Sequence, residues 1–192
     1  LRALKPGGYS FVCNWRGLGK PGLEKGLYSA SGGDSRQFFL RFPSDVTANL
    51  ERDTEALGPY VNPHPWHDRA LNIVTQSRSA SMNAGDVACF ANLFWSVSGA
   101  EETYDLQRLD EHSALISRAG RVALVGGGEQ GAEIHLDELD VSARFFLVDS
   151  EGYILFGPRV LRVGGAEVAI APGQAILEGR WADPTPTPAL AQ

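Results

Sequence analysis

VSARFFLVDSEGYILFGPRVLRVGG, residues 141–165, decides the fold class. Three apolar runs, 141–148, 153–156 and 160–163, are separated by Asp149-Ser150-Glu151-Gly152 and by Gly157-Pro158. Each run has the length of a strand and is rich in Val, Ile, Leu and Phe. Glycine and proline break them too often for a helix of about ten residues to form. The same punctuation continues outward, with runs at 122–125, 168–170 and 175–177. Towards the N-terminus come 9–15, 37–42, 71–76 and 87–97. The last sets Val87, Cys89, Leu93, Trp95 and Val97 on one face against Ala88, Phe90, Asn92, Phe94 and Ser96 on the other. Both faces carry large apolar groups, so this strand is expected to be covered on both sides for part of its length.

Two segments depart from the pattern. Over 45–57, Val46, Leu50 and Leu57 stand at helical spacing behind a possible cap, Ser44. Over 103–117, Leu106, Leu109 and Ile116 form a second stripe. The expected architecture is therefore all-β, an antiparallel β-sandwich with one or two short helices. Its core should contain Phe11, Phe39, Val87, Cys89, Leu93, Trp95, Phe145 and Leu147.

The 192 residues are 43% hydrophobic and 21% charged, which suits one globular domain over 1–182. Residues 183–192 alternate proline with threonine and read as an extended arm. A net charge of −6 excludes a nucleic-acid footprint over the whole chain. The first 25 residues are locally basic, with Arg2, Lys5, Arg16, Lys20 and Lys25 against Glu24, which leaves room for a weak contact with genomic RNA. Cys13 and Cys89 lie in apolar runs and are expected as free, buried thiols. No apolar run reaches the length of about eighteen residues that a membrane helix needs.

Candidate chemistry is sparse. Gly126-Gly127-Gly128-Glu129-Gln130-Gly131 matches the glycine pattern of a dinucleotide-binding turn, with Asp149 where a ribose-binding acid would stand. The segment that follows lacks a helical stripe, so a glycine turn in a β-meander is the expected structure. His64, His67 and Asp68 could ligate a metal, but Pro63 and Pro65 stiffen the run and no regular helix aims the rings. Trp15, Trp66 and Trp181 could stack on sugar rings or simply pack. No serine sits in a nucleophile elbow, and Cys89 lies in mid-strand. The expectation is a non-enzymatic protein without catalytic, cofactor or metal residues.

Phe42-Pro43, Asn49-Leu50, Pro59-Tyr60-Val61-Asn62 and Pro65 follow one another in order, ahead of two apolar strands. This stretch, Phe42 to Val97, resembles the coat proteins of picornavirus-like RNA viruses, in particular the second of their three major shell subunits. The resemblance implies a jelly-roll capsid protein that assembles with other capsid subunits in the host cytoplasm and ends in the virion. A β-sandwich binding module for carbohydrate or protein is the alternative, and a nucleotide-binding enzyme domain is a more distant one.

Overall fold

A computed structural model describes residues 1–32, 36–54, 70–98 and 103–181. Among these the protein is all-β: fourteen strands, every pairing antiparallel, and no helix. The chain gathers into two compact units, Leu1–Leu106 and Gln107–Gln192, each described by itself.

The first unit contains β1 (Gly7–Gly17), β2 (Lys20–Glu24), β3 (Leu27–Ser31), β4 (Arg36–Arg41), β5 (Thr47–Asp53), β6 (Leu71–Met82) and β7 (Leu93–Ser98). They form a three-stranded sheet, β1-β6-β5, and a four-stranded sheet, β2-β3-β4-β7. The sheets pack through Tyr28, Ala30, Leu40 and Phe42 on one side and Val46, Ala48, Leu50 and Val74 on the other. This is the sandwich expected from the alternating pattern. In β6 the period of two is plain: Asn72, Val74 and Gln76 are fully buried while Ile73, Thr75 and Ser77 are half-exposed.

The helix expected over 45–57 is instead β5, as far as the described residues reach. Val46 and Leu50 stand four apart, a spacing that serves both a helix face and a strand face. Pairing decides between them: Ala48, Leu50 and Arg52 lie opposite Gln76, Val74 and Asn72 of β6. Residues 55–69, with Leu57 and the proline-rich loop, lie outside the described residues.

The strand expected over 87–97 is shorter than its pattern. Only Leu93–Ser98 pairs as β7, with β4. Val87 makes an isolated bridge with Arg2, and Ala88 N donates to Leu1 O at 2.8 Å. Ala88 packs with Ala3 and Met82 in a small second cluster. Trp95 stacks on Phe39 at 5.2 Å and meets the edge of Tyr104 at 5.1 Å.

β8 (Asp105–Arg108) spans the border between the units. It begins a seven-stranded sheet with β9 (Ser113–Arg118), β10 (Arg121–Leu136), β11 (Leu139–Asp149), β12 (Gly152–Val163), β13 (Ala166–Glu167) and β14 (Ile176–Arg180). The meander runs β8 to β13 in order, with β14 also on the outer edge of β12. No helix forms over the described part of 103–117. Asp110 Oδ1 accepts the N–H of His112 at 2.6 Å, and Leu109 N donates to Ser113 O at 3.0 Å, so the chain turns there.

The core of the second unit is larger, with Leu124, Ile134, Leu139, Val141, Phe146, Val148, Leu155, Leu161 and Leu177 all buried. β11 buries Leu139, Val141 and Ala143, then Phe146 and Val148, so its inward phase changes in mid-strand. Register shifts on both flanks, between Gly127 and Ala132 and between Ser142 and Ala143, accompany the change. Phe145 and Leu147, expected in the core, are thereby turned to the opposite face. Of the other expected core residues, Phe39 is buried and Phe11, Val87, Cys89, Leu93 and Trp95 are half-buried.

Candidate functional site

The glycine run Gly126–Gly128 lies inside β10, neither in a turn nor ahead of a helix. A Cβ on Gly126 would come within 2.3 Å of the Phe146 ring, and one on Gly127 within 2.1 Å of the Phe145 ring. Two successive phenylalanines of β11 thus lie over two successive glycines of β10, on opposite faces of the sheet. The glycines are required for aromatic cover of bare backbone. Gly131 continues the strand at φ +92°. Asp149 turns its carboxylate to its own backbone, accepting from Glu151 N at 2.8 Å and Gly152 N at 3.0 Å. The pattern therefore presents no helix N-terminus to a pyrophosphate.

His64, His67, Asp68 and Trp66 lie outside the described residues. Among the described ones, no three His, Cys, Asp or Glu side chains gather to hold a metal ion. His135 is exposed, with Nδ1 at 2.9 Å from Asp140 Oδ1 and Nε2 at 3.2 Å from Glu133 Oε1. Its pKa is raised above 6.5, chiefly by the hydrogen bond to Asp140. Cys13 and Cys89 form no disulfide, and both are half-buried. Trp181 packs against Tyr153 at 4.7 Å and donates Nε1–H to Asp149 O at 2.8 Å, which makes it cover for a turn. Arg2, Lys5, Arg16, Lys20 and Lys25 are all exposed.

Two apolar surfaces stand out among the described residues. The first is on the second unit, where cross-strand partners share a face. Gly127, Phe145, Phe156 and Ile176 form one row across β10, β11, β12 and β14, and Val125, Leu147, Ile154 and Glu178 form the next. Phe145, Leu147, Phe156 and Ile176 are each 40–48% exposed. Arg144 lies 6.0 Å from the centre of the Phe145 ring.

The second is a groove of about 580 Å³ in the first unit, lined by Trp15, Leu18, Tyr28, Phe38, Leu40 and Phe94 with Arg16 among them. Tyr28, Leu40 and Phe94 form one row across β3, β4 and β7, and Ala30, Phe38 and Ser96 form the next. Tyr28, Ala30 and Leu40 belong to the sandwich core, so the groove continues the inner face. Among the described residues, a four-stranded sheet facing three strands leaves part of that face uncovered. There Phe94, Phe38 and Trp15 are 62%, 40% and 38% exposed. The sequence singled out Trp15 as a stacking ring. It did not single out Phe38 or Phe94, although Phe94 stood on a face mixed with Asn92 and Ser96.

No family model, no curated protein and no solved structure matches this chain.

Proposed function

We propose that this chain is a structural subunit of an icosahedral viral shell, a sandwich of jelly-roll type that assembles with other coat subunits around a genome. The observation that carries this reading is the row of Phe145, Phe156 and Ile176, with Leu147 beside it, exposed on a sheet whose other face is already a complete core. A sheet that is apolar on both faces is ordinarily covered on both, and a large exposed apolar patch marks an interaction surface. The likeness of 42–97 to picornavirus-like coat proteins supplies the kind of assembly. The exposed bases Arg2, Lys5, Arg16 and Lys20 would supply a weak contact with RNA.

The test is assembly. Co-expressed with its partner subunits, the chain should enter symmetric particles visible by electron microscopy. Phe156→Asp should abolish particles while leaving thermal melting of the isolated chain nearly unchanged. A chain that stays monomeric at high concentration with partners and genome present would rule the reading out. The apolar groove of the first unit favours a second reading, a β-sandwich binding module.

A further inference from the structure

We infer that β1 is a dimerisation edge, which pairs antiparallel with β1 of a second copy of this chain. This rests on the first unit alone and is independent of the shell reading. Among the described residues β1 pairs on one side only, with β6, over all eleven residues Gly7–Gly17 and without a shift of register. The backbone N–H and C=O groups on its other side therefore form a long template for a further strand. The other edge strands are shorter, from two residues in β13 to seven in β5, and β5 ends on Glu51-Arg52-Asp53. Short length, proline, lysine and bulges are what ordinarily keep an edge from pairing. β1 has none of these, and its one charged side chain is Arg16.

The inner face is uncovered on this same side. Along the row Leu50, Val74, Trp15 burial falls from β6 to β1, and along Tyr28, Leu40, Phe94 it falls from β4 to β7. Trp15 and Phe94 line one groove, so both sheets run short where β1 ends the smaller one. A strand added to β1 makes four strands against four. The strand that fits is β1 itself, because a two-fold axis at Val12 gives a self-complementary register. Tyr9 then faces Trp15 of the second copy, Phe11 faces Cys13, Ser10 faces Asn14 and Gly8 faces Arg16. Apolar residues stay with the inward set and polar ones with the outward set. Val12, 59% exposed in one copy, meets its own counterpart. Charge does not oppose the pairing. With Arg16 opposite Gly8, the two arginines stand about 26 Å apart at about 3.3 Å per residue. That is well beyond the screening length of about 8 Å. Eleven residues a side are fewer than the roughly 20–30 of a standard interface, which makes the dimer a weak one.

The experiment is sedimentation of the full chain over a range of concentrations. It should be monomeric below about 1 μM and dimeric near about 100 μM, as a weak interface allows. Val12→Lys and Val12→Glu each set like charges directly opposite one another, and each should weaken the dimer by about fivefold. An equimolar mixture of the two sets lysine against glutamate and should associate at least as well as the parent chain. Melting of both variants at low concentration should match the parent's, since Val12 is exposed. Arg16→Gln, opposite a glycine, should change the association by less than about twofold. Phe156→Asp, on the other apolar surface, should leave it intact. A chain that stays monomeric throughout, Val12 variants that associate like the parent, or a mixture no stronger than its components would overturn the inference. So would loss of the dimer through Phe156→Asp. A dimer that never enters particles would leave the inference standing and count against the shell reading alone.

Discussion

Gly152 and Gly179 show how much one missing side chain decides. A Cβ on Gly152 would fall 2.2 Å from Gly179 O, a backbone atom of the paired β14. Gly152→Ala must therefore push two strands apart, and should cost about 1–3 kcal/mol in urea unfolding. Gly8→Ala, where a Cβ meets nothing within 4 Å, should stay within about 0.5 kcal/mol and serves as the control. Equal effects at the two sites would contradict the β12–β14 contact. His135 offers a charge test at the same scale. Its pKa in the folded chain is raised above 6.5, first by the Asp140 hydrogen bond. A raised value means that its contribution is fully present below the unfolded pKa and is lost as pH rises through the folded one. An NMR titration should place its midpoint above 6.5, and Asp140→Asn should bring the midpoint down. A midpoint unmoved by Asp140→Asn would break the assignment.

At the scale of elements, the hairpin between β9 and β10 carries strain that the sequence does not advertise. Its two turn residues, Ala119 and Gly120, have φ of 48° and 78°, and Arg118 pairs directly with Arg121. Both central residues at positive φ is the turn that suits strand twist, and its favoured pair is Asn-Gly. Alanine has no side-chain polar group to offset the left-handed conformation. Ala119→Asn should stabilise the chain by about 0.5–1 kcal/mol, read as a raised urea midpoint with an unchanged slope. No gain would mean that the turn is not of this type. The elements themselves were largely legible, because glycine and proline cut the chain into strand-length pieces. The first of the two expected helices was misread for a stateable reason. Apolar residues four apart, such as Val46 and Leu50, satisfy a period of 3.6 and a period of two alike. The glycine run was read as a turn because local sequence carries no sign of rings arriving from the next strand.

For the whole molecule, stability rests on three apolar clusters, two in the first unit and one in the second, without a covalent staple among the described residues. Cys13 and Cys89 form no disulfide, and neither is fully buried. The intact mass should be unchanged by reductant, and both thiols should react with a thiol reagent slowly in the native state and completely in denaturant. A mass deficit relative to the reduced chain would show a disulfide. The candidate sites were less legible than the fold. Trp15 stood out by residue type alone, whereas Phe38 and Phe94 became a surface only because four strands face three. Phe145 and Leu147 read as core residues and lie outside, since a shift of register exchanges the two faces of a strand.

What the sequence by itself determined is the chemistry available along each short segment: strand-length apolar runs and the breaks between them. Those properties are local, and a period of two survives whatever the strand pairs with. Tertiary structure alone decided which face of β11 is buried, why glycines stand in β10, and where an inner face is left uncovered in the first unit. Each of these depends on register and on the number of strands brought opposite one another, which are relations between residues far apart in the chain.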